Sequence, residues 1–300
     1  MSCFKPLEAW RTPQGDITFK PLYSDRLSAG MFKLPCGQCI GCRLARSSMW
    51  ATRCVHEAQL HKQNCFITLT YNDDNLPYPP TLSIRPLQLF MKRLRKRFGA
   101  GIRFYACGEY GEKFGRPHYH ACIFGFDFPD KKLWKISNGC NLFVSNALAD
   151  LWPYGYAVIG DVTFESAAYV ARYIMKKITG DRASAHYSDR VDLRTGEIYD
   201  AKPEFTVMSR RPGIAHDWFV KFGSDVYPHD YVVLRNGKKL PPPRYYDGLY
   251  EAEIPGAMTA IKAARIERAL LHVDNNTVER LAVREELTIL RLNKLVRPVD

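Results

Sequence analysis

Two histidines, His118 and His120, stand one residue apart at the start of an apolar segment that continues to Gly125. Side chains two residues apart on a β-strand point to the same side of the sheet, so both imidazoles would face one way. Imidazoles held in this way can bind a divalent metal ion. The same pair also occurs by chance on exposed strands. From this motif alone, a metal site and an ordinary strand face both remain open.

A carboxylate precedes the histidine pair. Residues 102–109 have strand composition and end at Glu109, and a glycine-containing turn leads back toward His118. In an antiparallel hairpin with Glu109 opposite His118, the carboxylate shares the histidine face. Glu112, within the turn, is a rival third ligand. Carboxylate and imidazole ligation with open positions favours Mg²⁺ or Mn²⁺ held partly by a substrate phosphate.

A later segment, residues 166–178, has helical periodicity and carries two tyrosines and three cations on one face. These residues are Tyr169, Arg172, Tyr173, Lys176 and Lys177. Tyrosines on helices usually only pack, but a phenol can act as a nucleophile when positive charge or a metal-polarised electrophile is close. We therefore expect one tyrosine to attack a metal-bound DNA phosphodiester, with Arg172 and Lys176 supplying charge. The second tyrosine, one turn away, can make a second transfer.

Nine cysteines in a chain without a secretion signal favour thiols or metal ligands over disulfides. Cys36, Cys39 and Cys42 follow one another at intervals of three residues with glycines between them, and Cys3 is a candidate fourth ligand. This spacing is typical of a structural Zn²⁺ knuckle. An iron–sulfur cluster also uses such spacing, and unliganded reduced cysteines are a third interpretation.

The net charge of +12 favours polyanionic partners. Part of the excess lies on a predicted amphipathic helix without acidic residues, in which Lys92, Arg93, Arg95, Lys96 and Arg97 alternate with apolar positions. We interpret this face as a phosphate-binding surface, although a solvated helix face has the same pattern. The apolar runs are shorter than the roughly 20 residues of a membrane helix. We expect no membrane contact and a cytosolic protein.

The predicted elements follow the order β-α-β-β-α-β and then a helix, from about residue 65 to residue 178. This order predicts an α+β, ferredoxin-like (split βαβ) antiparallel sheet with helices on one face and the other face free for a ligand. We expect three parts. Residues 1–63 hold the cysteine cluster and a helix, residues 64–215 hold the catalytic domain, and residues 216–300 form a basic linker and a helical region.

Three motifs together resemble the HUH-type rolling-circle replication initiators, most closely the initiation protein of gokushovirus-like microviruses, which are small single-stranded DNA phages. Residues 66–71 look like the family's first motif, residues 115–120 like its metal motif, and residues 169–177 like its two-tyrosine motif. The cysteine cluster and residues 208–213, which include Arg210 and Arg211, also look like parts of phage members. One departure is Arg172, where phage members often have lysine.

The resemblance implies an HUH endonuclease core that nicks one strand of replicative-form DNA at the phage origin. The nicking tyrosine would become linked to the 5′ phosphate and later rejoin the DNA. It further implies host DNA polymerase and helicase as partners, the bacterial cytoplasm as the location, and Arg210, Arg211 and Lys177 as DNA contacts beside the basic helix.

Two other functions are compatible with the residues. In a hydrolytic metal-dependent phosphoesterase, His118 and His120 would bind metal, water would attack, and the tyrosines would only pack. In a non-catalytic, zinc-stabilised nucleic-acid-binding protein, aromatic side chains on the sheet would stack on bases and the cations would follow phosphates.

Overall fold

The computed structural model describes residues 3–20, 30–111, 115–137, 139–172, 182–192, 194–234 and 237–294. The chain divides into two compact units, each described here by itself. The first comprises Met1–Arg46 and Gly256–Val296, and the second comprises Ser47–Pro255 with Arg297–Asp300. Within the described residues, no helix is both long enough and apolar enough to cross a bilayer.

In chain order, the elements are β1 (Leu7–Arg11), β2 (Ile17–Thr18), β3 (Phe32–Leu34), α1 (Ile40–Gln59), β4 (Asn64–Tyr71), α2 (Ile84–Phe98), β5 (Arg103–Tyr110), β6 (Pro117–Phe124), β7 (Lys132–Ser137), β8 (Cys140–Val144), α3 (Asn146–Leu151), β9 (Gly155–Gly160), α4 (Phe164–Arg172), α5 (Arg182–Tyr187), β10 (Arg190–Val191), β11 (Ile198–Tyr199), β12 (Phe205–Met208), α6 (His216–Val226), β13 (Val232–Val233), β14 (Lys239–Leu240), α7 (Arg244–Glu253), α8 (Ala257–Leu270) and α9 (Val278–Asn293). A 3₁₀ helix, Val273–Asn276, separates the last two.

The second unit is built on a seven-stranded sheet in the order β12-β5-β6-β4-β9-β8-β7. Every pair of neighbours is antiparallel. The succession β4, α2, β5, β6, α3, β9 matches the predicted β-α-β-β-α-β order. The hairpin of β7 and β8 was not predicted, and the helix expected near residue 143 begins only at Asn146, because Ser145 caps it by accepting a hydrogen bond from the Leu148 N–H.

One face of this sheet forms the main core with α2. Helix α2 contributes Leu87, Phe90, Met91 and Leu94, which repeat at helical spacing. They pack with alternate strand residues such as Ile67, Leu69, Ala106, Tyr119, Ala121 and Ile123. Trp152 is fully buried in the same cluster, and its indole N–H donates to the Thr70 carbonyl at 3.1 Å. This face holds the strands in register, which fixes where the residues of the opposite face stand.

The opposite face is also covered, so the expectation of helices on one face only is wrong. Helix α4 contacts β5 and β6, and Trp50 of α1 stacks on Tyr105 of β5 with ring centroids 4.7 Å apart. The physical reason is that this face carries apolar side chains, including Tyr105 and Cys122, which are fully buried and need a cover against water.

In the first unit, β1 pairs with both β2 and β3. The Lys5 ammonium lies 3.3 Å from a Glu285 carboxylate oxygen of α9. The sequence suggested a capping box that starts at Asn276, but Thr277 is the N-cap of α9, since its side chain accepts a hydrogen bond from the Arg280 N–H. The helical content predicted for this region is present.

Candidate active site

The β5–β6 hairpin has the register predicted from the sequence. Glu109 pairs with His118, and Cys107 pairs with His120. On the other side of β6, Thr68 of β4 pairs with His120. Directly paired residues of antiparallel strands present their side chains on the same face. A carboxylate, two imidazoles and a hydroxyl are thus brought to one patch of the sheet.

His120 is held at both ring nitrogens. Its Nε2 lies 2.8 Å from Glu109 Oε1, and its Nδ1 lies 3.0 Å from Thr68 Oγ1. His120 and Glu109 are each only 3% exposed. Hydrogen bonds at both ends fix the plane of the ring, and a hydroxyl on Nδ1 leaves Nε2 directed at the carboxylate.

His118 is oriented by the backbone. Its Nδ1 lies 2.7 Å from the Arg116 carbonyl oxygen. A carbonyl only accepts hydrogen bonds, so Nδ1 carries the proton and Nε2 carries the lone pair. Burial lowers the pKa of His118, which favours the neutral imidazole that metal ions bind. The ring is therefore prepared as an Nε2 ligand.

The donor set fits a hard divalent cation. Neighbouring ligands in an octahedral shell with bonds of about 2.1 Å stand about 3 Å apart, and Glu109 Oε1 and His120 Nε2 are separated by 2.8 Å. A carboxylate and two imidazoles leave coordination positions for water or phosphate. Thr68 and the Arg116 carbonyl act as the outer contacts that orient such ligands.

Tyr169 lies beside this patch. Its ring meets the His120 ring edge to face, with centroids 5.2 Å apart and an interplanar angle of 89°. Helix α4 is capped reciprocally by Thr163 and Ser166, each accepting a hydrogen bond from the other's N–H. Ser47 of α1 also donates to the Ala168 carbonyl at 2.9 Å. These contacts fix the helix that presents Tyr169.

The other members of the predicted tyrosine face are only partly covered by the structure. Arg172 is the last residue of α4. Tyr173, Lys176 and Lys177 lie outside the described residues, as does the rival ligand Glu112. Their predicted roles stay predictions.

Comparison with known proteins identifies the family. A family model for the replication-associated protein ORF2 matches residues 64–178, which include all of β4 to β9. The chain is 35% identical over 266 residues to the replication-associated protein VP4 of Bdellovibrio phage phiMH2K, covering 85% of this chain and 79% of the relative. The chain belongs to this replication-associated protein family. The resemblance to phage replication initiators is confirmed at that level.

Two further relatives in the family are similar over most of the chain. The replication-associated protein ORF2 of Spiroplasma virus 4 is 31% identical over 275 residues, which is 84% of this chain and 81% of that protein. The replication-associated protein ORF4 of Chlamydia phage 1 is 31% identical over 229 residues, or 73% and 53% of the two chains. No solved structure matches the chain.

The five cations predicted to bind DNA from α2 are not equivalent in this family member. Lys92 and Lys96 are exposed. Arg95 donates two hydrogen bonds to the Ile102 carbonyl, Arg97 lies 3.0 Å from Asp150, and the Arg93 guanidinium stands 5.6 Å from the Tyr154 ring centroid. The two lysines are thus the more available phosphate contacts of this helix. Arg210 and Arg211 are also exposed.

Three features were missed by sequence reasoning. Thr68 lay within a recognised motif but received no role, although its alternation with Phe66 and Thr70 places it on the histidine face. Arg116 donates to the Tyr71 carbonyl at 3.0 Å and pairs with Asp73, which ties the histidine strand to the end of β4. The β7–β8 hairpin exposes Trp134, and Lys135 Nζ lies 4.4 Å from the centroid of that ring.

In the first unit, the four cysteines proposed as a cluster do come together. The Sγ atoms of Cys3, Cys36, Cys39 and Cys42 all lie within 4.8 Å of one another. All four are free thiols.

Proposed function

We propose that this protein starts replication of a small single-stranded DNA phage by nicking and rejoining one strand at the phage origin. The observation that carries the proposal is the edge-to-face contact of Tyr169 with His120, whose ring is hydrogen-bonded to the buried carboxylate of Glu109. A candidate nucleophile and a candidate metal site thus share one face of the sheet. Membership of a family named for replication supports the biological role.

The chemistry is a transesterification. The Tyr169 oxygen attacks phosphorus, the bond from phosphorus to the 3′ oxygen breaks, and the 3′ oxygen gains the proton that the phenol loses. The products are a 5′-phosphotyrosine and a free 3′ hydroxyl, so the bond energy of the phosphodiester is kept. A bound Mg²⁺ or Mn²⁺ supplies Lewis acidity toward a phosphate oxygen. Glu109, His118 and His120 hold it, and Thr68 orients His120.

The same proposal assigns the other parts of the chain. The strand order β5-β6-β4-β9, with α2 on one face, is the order of a ferredoxin-like HUH core, and residues 64–215 act as the nicking domain. Tyr173 performs the second transfer, assisted by Arg172 and Lys176. Host helicase and DNA polymerase continue from the 3′ hydroxyl in the bacterial cytoplasm.

Exposed cations and one exposed tryptophan form the DNA contacts in this proposal. Lys92 and Lys96 of α2 bind phosphates, as do Arg210 and Arg211. Trp134, 54% exposed, offers a stacking surface for a base of the nicked single strand.

The test is a covalent adduct. The protein is incubated with Mn²⁺ and a labelled single-stranded origin oligonucleotide, and the products are separated on a denaturing gel. We expect an adduct with wild type and with Tyr156→Phe, a control at a tyrosine that is 70% exposed, and none when Tyr169→Phe and Tyr173→Phe are combined.

Other outcomes contradict the proposal in distinct ways. An adduct that persists in the double variant removes the tyrosine assignment. Cleavage without any adduct favours a hydrolase in which water attacks. Retention of the oligonucleotide without cleavage favours a binding protein.

A further inference from the structure

The cysteines of the first unit have the geometry of a mononuclear metal site. Cys3 Sγ and Cys39 Sγ are 3.8 Å apart. Tetrahedral Zn²⁺ with bonds of about 2.3 Å to sulfur requires a separation of about 3.8 Å between its ligands. A disulfide bond is about 2.05 Å long, so these two thiols are not bonded to each other. The separation is that of two thiolates that share one ion.

The backbone around the sulfurs has the conformation of a metal knuckle. Three N–H groups donate to cluster sulfurs, namely Phe4 N to Cys39 Sγ at 3.3 Å, Cys36 N to Cys3 Sγ at 3.2 Å and Cys39 N to Cys36 Sγ at 3.2 Å. Gly37 has φ +74°, a conformation that side chains disfavour. Donors directed at sulfur stabilise thiolates, which metal binding requires.

Burial excludes an ordinary surface role for these thiols. Cys3 is fully buried, and Cys39 and Cys42 are 7% and 8% exposed. Cys42 lies in the first turn of α1, where the helix dipole favours negative charge. Four close sulfurs without an ion would leave a small polar cluster among apolar neighbours, which contributes little to folding.

We propose that Cys3, Cys36, Cys39 and Cys42 bind one structural Zn²⁺ ion that fastens the amino-terminal segment to the start of helix α1. The four sulfurs complete the tetrahedral shell, so no position is left for substrate. In a multi-iron cluster each thiolate binds a different iron, which requires more widely spaced sulfurs than four that all lie within 4.8 Å. The site is independent of the nicking chemistry.

The experiment measures metal content and ligand type in the full-length protein. Zinc and iron are determined by mass spectrometry after purification without chelators, and Co²⁺ is then exchanged into the site. We expect one zinc per chain, little iron, and sulfur-to-cobalt charge-transfer bands with intense tetrahedral visible bands. Those charge-transfer bands arise only from thiolate ligands, so a cation at Glu109 and the histidines does not produce them.

Variants locate the signal. Cys36→Ser and Cys39→Ser are each expected to lower zinc content and the cobalt charge-transfer bands at least tenfold. Cys140→Ser, at an exposed cysteine outside the cluster, should leave both unchanged. Iron with inorganic sulfide in the wild type, absence of thiolate–cobalt bands, or full zinc content in both cluster variants would overturn the proposal. The wild-type spectrum decides the question even where a variant fails to fold.

Discussion

The ring of Tyr169 stands perpendicular to the ring of His120, with the two centroids 5.2 Å apart. His120 is itself fixed between Thr68 and Glu109, so the position of the tyrosine is coupled to that of the histidine. A nucleophile must be aligned closely with the phosphorus it attacks. Small changes behind His120 should therefore reduce nicking without removing any reacting group.

Replacing the carboxylate should abolish most of the metal-dependent activity. Glu109→Gln keeps the shape of the side chain and can still hydrogen-bond His120, so we expect a folded protein. It loses the negative charge that a divalent cation requires, and Mn²⁺-dependent adduct formation should fall by about 100-fold. Adduct yield is measured against Mn²⁺ concentration. Glu165→Gln, at an exposed carboxylate of α4, is the control, and equal losses in both variants would argue against a role for Glu109.

The hydroxyl behind His120 provides a more selective test. Thr68→Val removes the hydrogen bond to His120 Nδ1 while the β-branched shape remains. We expect metal affinity or nicking rate to fall about 10- to 100-fold, with partial recovery in Thr68→Ser. Thr70→Val changes a neighbouring residue that pairs with His118 and should have a smaller effect. Metal titrations followed by adduct formation would show both, and no difference between the two valine variants would contradict the assignment.

The two exposed lysines of α2 should contribute to DNA affinity through charge alone. Changing Lys92 and Lys96 together to alanine should reduce the slope of log affinity against log salt by about 1.4 for single-stranded DNA. Changing Lys221 and Lys262, which are exposed elsewhere, removes the same charge and is the control. Fluorescence anisotropy at several salt concentrations gives the slopes. Equal slopes for both double variants would exclude α2 as a specific phosphate contact.

His56 should make folding stability depend on pH. Its ring stacks on Trp218 at 3.5 Å between centroids, and its Nδ1 lies 2.8 Å from the Tyr246 hydroxyl. Burial lowers the pKa of His56 to about 3, below the usual value of about 6.5. The unfolded chain therefore gains a proton first as the pH falls. Stability is retained above pH 6.5 and is lost between about pH 6.5 and pH 3.

The measurement for His56 is urea unfolding at several pH values. The wild type should lose up to about 1.4 kcal/mol per pH unit from this group within the window. His56→Gln should be less stable at pH 7.5 but should lack this contribution to the slope, whereas His229→Gln, at an exposed histidine, should keep it. A slope unchanged in His56→Gln would show that other groups cause the acid sensitivity.

The hairpin that carries the candidate site could be predicted because its signals are local. Alternation along residues 102–109 and 117–124 and the glycines between them determine both strands and their register, and Glu109 does pair with His118. The β7–β8 hairpin had a comparable signal in Asn138-Gly139, which was not recognised in the sequence. Local pattern is sufficient where a turn sets the pairing.

Long-range packing could not be predicted in this way. Nothing near Tyr105 in the sequence indicates that Trp50 stacks on it, or that α4 would pack on the face expected to be free. Such contacts depend on how the whole sheet is closed against helices from distant parts of the chain. The contact of Tyr169 with His120 belongs to the same class.

The order in which these residues leave the ribosome has a consequence of its own. Thr68, Glu109 and His120 come from strands that pair early, whereas Tyr169 belongs to a helix that follows the last central strand. A translation product that stops before this helix contains the whole metal patch and lacks both tyrosines. If it folds and binds the origin, it would occupy the DNA without cutting it. Incomplete chains of this protein would then act as competitors of the finished enzyme.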